Sequence, residues 1–246
     1  MTNIYRKTFP VAAADVDRFG RLKPSRILTF MQESAGDHSA LLGTDRGALK
    51  KLGLFWAVIR HRVQVTRLPQ AGETVTVETW PMPTTRSAYP RSAVALDADG
   101  NELFRSISLW VLMDIQNRRM ILPGKSGVEV DGLIRGNELA APGSMMPHPL
   151  ENSIARTVHF SDLDWNGHMN NCRYLDWVTD TLPAAFHEDH PVKDFSVCYL
   201  NECKEGDRVT LHFEVDSDSC LTVDAVRENP EQSASEERVF AAKMQF

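Results

Sequence analysis

Hydrophobic and polar residues along the chain follow two kinds of pattern, and the two kinds occur in the same order twice. Each half begins with apolar residues at helical spacing and continues with runs in which apolar and polar residues alternate, as in β-strands. The helical positions are Ile27, Leu28, Met31 and Ala35 in the first half, and Tyr174, Trp177, Val178 and Leu182 in the second. Pro24 suits the first turn of the first helix, and Pro183 marks the end of the second.

The alternating runs predict several antiparallel strands in each half. They are HRVQVTRL, ETVTVETW and SISLWVLMDI in the first half, and FSVCYLNE, DRVTLHFEV, CLTVDAVRE and RVFAAKMQF in the second. The segments DADGN at 97–101 and KEGD at 204–207 are typical of hairpin turns. Residues 123–152 are rich in glycine and proline and lack a clear period, so we predict a connector between halves at 1–122 and 153–246.

The two halves also share residues at constant offsets, which indicates an internal duplication. With an offset of 147, the matched pairs are Asp15 and Asp162, Asp17 and Asp164, Gly20 and Gly167, Arg26 and Arg173, and Leu28 and Leu175. With an offset of 134, they are Val63 and Val197, Gly72 and Gly206, Val75 and Val209, and Thr76 and Thr210. Because both motifs keep their order, duplication explains these matches better than chance.

The first motif differs between the halves in its polar side chains. The shared aspartates and glycines are explained by turn geometry, since Asp accepts backbone N–H bonds and Gly tolerates a positive φ. Asn166 and His168 stand where the first half has Phe19 and Arg21, so the turn does not require them. This asymmetry makes the second copy a candidate site.

Composition and charge exclude several classes of protein. The chain has 246 residues and a formal net charge of −6, which argues against general affinity for nucleic acid or anionic membranes. The sequence contains no apolar run long enough to span a bilayer and no secretory signal, so we expect a cytoplasmic protein. The four cysteines, Cys172, Cys198, Cys203 and Cys220, lack zinc-binding spacing and are most simply reduced thiols.

The stretch LDWNGHMNNCRYLDWVTDTLP resembles the D-x-N-x-H-x-N-N-x-x-Y-x-x-W signature of the bacterial-type acyl-acyl carrier protein thioesterases. YLNECKEGD resembles the downstream segment of that family, and the likeness extends over most of the N-terminal half. The family fold is an α+β tandem double hotdog, in which two curved antiparallel sheets each wrap a central helix. The resemblance therefore implies a hotdog at 1–122 that sets acyl-chain specificity and a catalytic hotdog at 153–246.

The resemblance also implies a catalytic set of Asp164, Asn166, His168 and Glu202, with Leu68 opposite Glu202 in the first half. It implies no metal and no organic cofactor. The implied partner is an acyl carrier protein with its phosphopantetheine-linked acyl chain, and the protein is expected to be a monomer or homodimer. Basic residues are candidates for contact with the acidic helices of the carrier, although they also suit a general solubilising role: Arg60, Arg62, Arg86, Arg91, Arg118 and Arg119.

These residue types suit the hydrolysis of a thioester. Asn166 can donate an amide N–H to the carbonyl or orient a water molecule, and the free N–H groups at the start of the helix near Asn171 suit an oxyanion. His168 can transfer a proton, and Glu202 can deprotonate water or orient His168. Asp164 is either a carboxylate nucleophile or an orienting group.

Cys203 and Asn171 are candidates for supporting roles. A thiol needs a nearby cation to become reactive, and adjacent strand residues point to opposite faces. We therefore favour Glu202 over Cys203 for the chemistry.

Two further functions remain open from the sequence: an acyl-CoA thioesterase on the same fold, and a non-catalytic module that binds an acyl chain or its carrier. A hotdog hydratase acting on 2-enoyl thioesters is another alternative, and an assay for released thiol distinguishes it, because hydration leaves the thioester intact.

Overall fold

The computed structural model describes residues 3–228 and 236–246, and the chain divides into two compact units, Met1–Pro142 and Gly143–Phe246. The first unit contains β1 (Tyr5–Pro10), α1 (Pro24–Leu41), α2 (Arg46–Lys51), β2 (Leu54–Val65), β3 (Thr74–Pro81), β4 (Tyr89–Leu96), β5 (Glu102–Asp114), β6 (Met120–Ile121) and α3 (Pro123–Ser126). The second contains β7 (Asn152–Thr157), α4 (Arg173–Thr179), α5 (Ala184–Asp189), β8 (Asp194–Tyr199), β9 (Arg208–Val215), β10 (Cys220–Glu228) and β11 (Glu236–Gln245).

The first unit is an antiparallel sheet with the long helix α1 against it. Its strand order is β1-β3-β4-β5-β2, and β6 pairs with β5. Helix α1 starts with Pro24 in its first turn, as predicted, and buries Ile27, Leu28 and Met31. The ring of Phe30 stacks on that of Phe9 with centroids 4.4 Å apart, which fixes the helix to β1.

The second unit repeats this plan with a shorter helix. Its strand order is β8-β11-β10-β9-β7. Helix α4 has only 7 residues and buries Tyr174, Trp177 and Val178, and the Tyr174 ring lies 4.7 Å from that of Phe240 on β11. The predicted helical face extended to Leu182, but the backbone after Thr179 continues in tight turns. The residue before Pro183 is disfavoured in helical conformation, which argues against a helix that includes Leu182.

The two predicted hairpin turns have different outcomes. Residues 97–101 join the paired strands β4 and β5, so the first hairpin is confirmed. Residues 204–207 form a turn with Gly206 at a φ of +85°, but they connect β8 to β9, which are separated by β11 and β10. The second hairpin prediction is therefore wrong. A local Gly-Asp signal identifies a turn but carries no information about which strands pair.

Much of the predicted connector packs on the first unit. The Leu133 N–H donates to the Pro81 carbonyl at 2.9 Å, and the Arg135 guanidinium lies 4.7 Å from the Trp80 ring. A Cβ on Gly132 would lie 2.1 Å from the Pro83 nitrogen, so only glycine fits this close approach. The glycines that suggested a linker thus permit docking of the chain. The functional boundaries at 1–122 and 153–246 stay a prediction.

Candidate active site

The predicted catalytic turn begins after the short helical turn Phe160–Asp162 and is closed by its own backbone. The Asp164 N–H donates to the His168 carbonyl at 2.8 Å, and the Gly167 N–H donates to the Asp164 carbonyl at 3.0 Å. Gly167 has a φ of +78°, a conformation that favours glycine. The turn therefore holds Asp164, Asn166 and His168 on one short, constrained segment.

The carboxylate of Asp164 organises the side chains around it. Its Oδ1 accepts hydrogen bonds from the backbone N–H groups of Asn166, at 2.8 Å, and His168, at 3.3 Å. Its Oδ2 accepts a bond from Asn166 Nδ2 at 3.1 Å. An amide nitrogen has two N–H donors, so Asn166 is held in one orientation while its second N–H stays available to a substrate.

Glu202 approaches the turn from the segment that follows β8. The Met169 N–H donates to the Cys203 carbonyl at 2.8 Å and docks this segment against the turn. Glu202 Oε2 then lies 3.5 Å from His168 Nε2, with the His168 side chain 22% and the Glu202 side chain 45% exposed. The distance is at the outer limit of a hydrogen bond, and such contacts often tighten only when substrate binds.

The two candidates for supporting roles, Cys203 and Asn171, have different surroundings in the structure. Cys203 is fully buried, and burial raises the pKa of its thiol, which lies against Tyr174. Asn171 precedes helix α4, which begins two residues later than predicted, and its carbonyl accepts a hydrogen bond from the Tyr199 hydroxyl at 3.0 Å. Residues 202 and 203 lie beyond the end of β8, so strand alternation does not explain why their side chains point apart; the packing of Cys203 against Tyr174 does.

The first unit contains the same turn with other side chains. Asp17 Oδ1 accepts bonds from the N–H groups of Phe19, at 2.8 Å, and Arg21, at 3.0 Å. Its Oδ2 pairs with Arg21 Nε at 3.1 Å, where the second unit has Asn166 Nδ2. The Leu22 N–H donates to the Pro69 carbonyl at 2.8 Å, which matches the bond from Met169 to Cys203 and places Leu68 opposite Glu202.

Several sequence expectations concern residues outside this turn. Arg91 is a poor candidate for contact with a carrier, because its Nη1 lies 3.2 Å from His38 Nδ1 and 3.3 Å from Thr79 Oγ1. Burial lowers its pKa to about 10.

No group of three metal-ligating side chains is found in residues 3–228 and 236–246. In the same described part of the chain, none of the helices has the length and hydropathy to cross a membrane.

Sequence reasoning missed two features of the site. The Trp165 side chain is 80% exposed inside the turn, and Phe160 is 81% exposed just before it. Arg227 on β10 donates a hydrogen bond to the backbone carbonyl of Glu202 at 2.9 Å. No sequence signal pointed to Arg227, because its match to Asp97 of the first unit appears only in the register of the strands.

Comparison with known structures establishes the class of fold. An acyl-ACP thioesterase from Bacteroides thetaiotaomicron has a TM-score of 0.86 and 23% identity, with 99% of this chain and 98% of that chain covered. The 12:0-ACP thioesterase from Umbellularia californica has a TM-score of 0.82 and 24% identity, with 100% and 97% covered. The chain thus has the predicted double hotdog fold.

Comparison of sequences establishes the family. The acyl-ACP thioesterase N-terminal domain matches residues 2–122, and the acyl-ACP thioesterase C-terminal domain matches residues 149–242. The chain belongs to the acyl-ACP thioesterase family. A chloroplastic dodecanoyl-[acyl-carrier-protein] hydrolase from Cinnamomum camphora is 28% identical over 215 residues, which cover 81% of this chain and 56% of the relative. The chain spans about half the length of the curated relatives it matches.

Proposed function

We propose that this protein hydrolyses the thioester of an acyl-acyl carrier protein to a free fatty acid and the holo-carrier, as a step of fatty acid biosynthesis. The observation that carries the proposal is the contact of 3.5 Å between His168 Nε2 and Glu202 Oε2, beside an Asn166 held by Asp164. The first unit makes the same turn with Arg21 and Leu68 at the matching positions, so the fold alone does not account for this pair. Family membership supports the choice of a thioester as substrate.

The reaction needs an oxygen nucleophile and one proton transfer in each direction. A water oxygen attacks the thioester carbon while the pair formed by His168 and Glu202 accepts a water proton. The available N–H of Asn166 donates to the carbonyl oxygen as it becomes an oxyanion. The C–S bond then breaks, and the pair returns the proton to the departing thiolate. The products are a fatty acid and the free thiol of the carrier.

The proposed role of Asp164 is to orient Asn166 and His168. Both of its carboxylate oxygens already accept hydrogen bonds from these two residues. A carboxylate with its lone pairs engaged in this way is a weaker nucleophile than a water molecule activated by a base. This geometry favours orientation over the alternative in which Asp164 attacks the thioester and forms an anhydride.

Cys203 is not proposed as a nucleophile. Its side chain is buried, and burial raises the pKa of the thiol, which opposes formation of a thiolate.

The four cysteines are free thiols, which supports a reducing compartment such as the cytoplasm.

The decisive experiment compares matched acyl-carrier and acyl-CoA substrates over a ladder of chain lengths, with released thiol as the readout. We expect a higher kcat/KM for the acyl carrier. We also expect His168→Ala to lower kcat/KM by about 10²–10⁴-fold, the range for loss of a general acid–base. Arg21→Ala, at the matching position of the first unit, is the control and should stay close to the unaltered protein.

Three results would contradict the proposal. A clear preference for acyl-CoA would change the substrate to the coenzyme thioester. Binding of the acyl carrier without release of thiol would indicate a non-catalytic module. Full activity of His168→Ala would remove the assigned site while leaving the family unchanged.

A further inference from the structure

The segment that carries Glu202 has its backbone fixed on both sides of that residue. We call residues 200–207 the Glu202 segment. The N–H groups of Leu200 and Asn201 both donate to the Val239 carbonyl, at 2.9 and 3.1 Å. At the other end, the Lys204 N–H donates to Asp207 Oδ2 at 2.9 Å. The Glu202 side chain is 45% exposed, and the backbone of residue 202 sets where this side chain begins, so a shift of the backbone moves the carboxylate relative to His168.

Arg227 on β10 contacts the backbone of that residue directly. Its Nη1 donates to the Glu202 carbonyl at 2.9 Å and to Asp207 Oδ2 at 2.6 Å. Its Nη2 forms an ion pair with Glu237 on β11. Burial opposes the charge of this guanidinium, but hydrogen bonds to Glu237 and Asp207 outweigh burial and raise the pKa of Arg227. The planar guanidinium of Arg227 is thus held by three acceptors: Asp207, Glu237 and the carbonyl of Glu202.

The first unit also has an acidic residue at the position of Asp207, but the arginine that binds it is at a different position. Glu73 matches Asp207, because the Val11 N–H donates to the Glu73 carbonyl at 2.9 Å and the Val158 N–H to the Asp207 carbonyl at 3.0 Å. Glu73 binds both Nη groups of Arg67, each at 2.8 Å, and Arg67 lies just before Leu68 on its own segment.

In the second unit the arginine lies on strand β10 and not on the Glu202 segment. Asn201 stands at the position of Arg67, by the offset of 134. Arg227 stands at the position of Asp97: Leu96 pairs with Thr76, and Val226 pairs with the matching Thr210. The arginine of the second unit therefore reaches the Glu202 segment from β10.

We propose that Arg227 is a positioning residue that holds the Glu202 carboxylate beside His168 through the backbone of residue 202. The inference rests on the proposed function, in which Glu202 and His168 transfer the proton. The carboxylate is already 3.5 Å from His168 Nε2, so a small shift of the backbone takes it out of hydrogen-bonding distance. A misplacement of about 1 Å in a reacting group costs about 10²-fold in rate.

The first test replaces Arg227 in the full chain and measures kcat and KM with one acyl-carrier substrate. We expect Arg227→Met to lower kcat about 10- to 100-fold while KM changes less than about threefold, because a residue that positions Glu202 affects proton transfer more than substrate binding. Arg227→Lys should recover part of the loss, since an ammonium can reach one acceptor but not all of them. Arg67→Met removes the matching ion pair of the first unit and should leave kcat within about twofold at a comparable loss of Tm.

The second test is a double-mutant cycle with Glu202→Gln. If Arg227 acts through Glu202, Arg227→Met should slow the Glu202→Gln protein by less than about threefold, although it slows the unaltered protein much more. An equal loss in both backgrounds would overturn the inference, as would an equal loss of kcat in Arg67→Met.

The cycle separates the inference from the proposed function. A slow Glu202→Gln protein together with an unaffected Arg227→Met protein overturns the inference alone. A fully active Glu202→Gln protein overturns both the role of Glu202 and the inference that depends on it.

Discussion

The turns at 15–22 and 162–169 have the same backbone hydrogen bonds and different side-chain chemistry. In each, an aspartate accepts the N–H groups two and four residues later, and a glycine at positive φ closes the turn. Asp17 then pairs with a cation, Arg21, whereas Asp164 orients an amide, Asn166. The comparison teaches that the aspartate and glycine form the turn, and that the residues at 166, 168 and 202 distinguish the candidate site.

After the loss of His168 itself, the largest effect should come from testing that distinction at the two aspartates. We expect Asp164→Asn to lower kcat/KM by about 10²–10³-fold, because a neutral amide accepts the bond from Asn166 Nδ2 more weakly than a carboxylate and so loosens the orientation of the oxyanion donor. Asp17→Asn makes the same replacement in the turn of the first unit, where it removes the ion pair with Arg21, and should leave kcat/KM within about threefold. Steady-state kinetics on an acyl-carrier substrate, with Tm for both variants, provides the measurement.

Similar losses of activity in the two variants would mean that the turns matter only for folding. The comparison would then no longer identify a site, and the roles given to Asn166 and His168 would have to be abandoned.

The next largest effect is expected on the pH dependence of the free energy of unfolding. It concerns His61 on β2, whose matching position on β8 is occupied by Phe195. His61 is 4% exposed, its Nδ1 has no hydrogen-bond partner among the described residues, and burial lowers its pKa to about 4. Below a pH of about 6.5 the unfolded chain takes up a proton at this histidine and the folded chain does not. Stability is therefore lost as pH falls from about 6.5 to about 4, by about 1.4 kcal/mol per pH unit.

His61→Phe should remove this contribution, which amounts to about 2 kcal/mol between pH 6.5 and pH 5. Urea unfolding of both proteins at several pH values measures the difference in slope. His148→Phe, at an exposed histidine, is the control and should keep the slope of the unaltered protein. An unchanged slope in His61→Phe would show that His61 is protonated in the folded state.

The smallest effect is expected at Cys203, whose counterpart in the first unit is the buried Pro69. Cys203→Ala should leave kcat within about threefold and cost about 1 kcal/mol of stability, because a small buried group is lost from packing. Kinetics and urea unfolding on one preparation test both parts. A loss of kcat as large as that of His168→Ala would return Cys203 to the candidate catalytic set.

The sequence predicted those parts of the fold that have a strong local period. Each of the alternating runs overlaps a strand, although HRVQVTRL and FSVCYLNE each extend three residues past the ends of β2 and β8, and the helix from Pro24 is confirmed. Strands β1, β4, β6 and β7 were missed. Strand β4, YPRSAVAL, contains a proline and small residues, and β7, NSIART, is short and mostly polar, so neither shows the apolar alternation of a half-buried strand.

The contacts around the candidate site depend on strand register, which the sequence does not display. Two sequence features singled out the turn: the resemblance to the thioesterase signature, and the internal duplication, in which a second copy shows which residues the turn geometry needs. Arg227 lies 25 residues from Glu202 along the chain and reaches it only because β10 pairs with β9 in one register. No local pattern predicts such a contact.

The bond from the Met169 N–H to the Cys203 carbonyl joins the two segments of the site through main-chain atoms alone. Any residue other than proline can supply the donor, and any residue at all can supply the acceptor, as Pro69 does for Leu22 in the first unit. The scaffold is thus indifferent to the side chains it displays. Substitutions of these side chains can therefore add or remove catalytic groups without changing the main-chain bond that holds the two segments together.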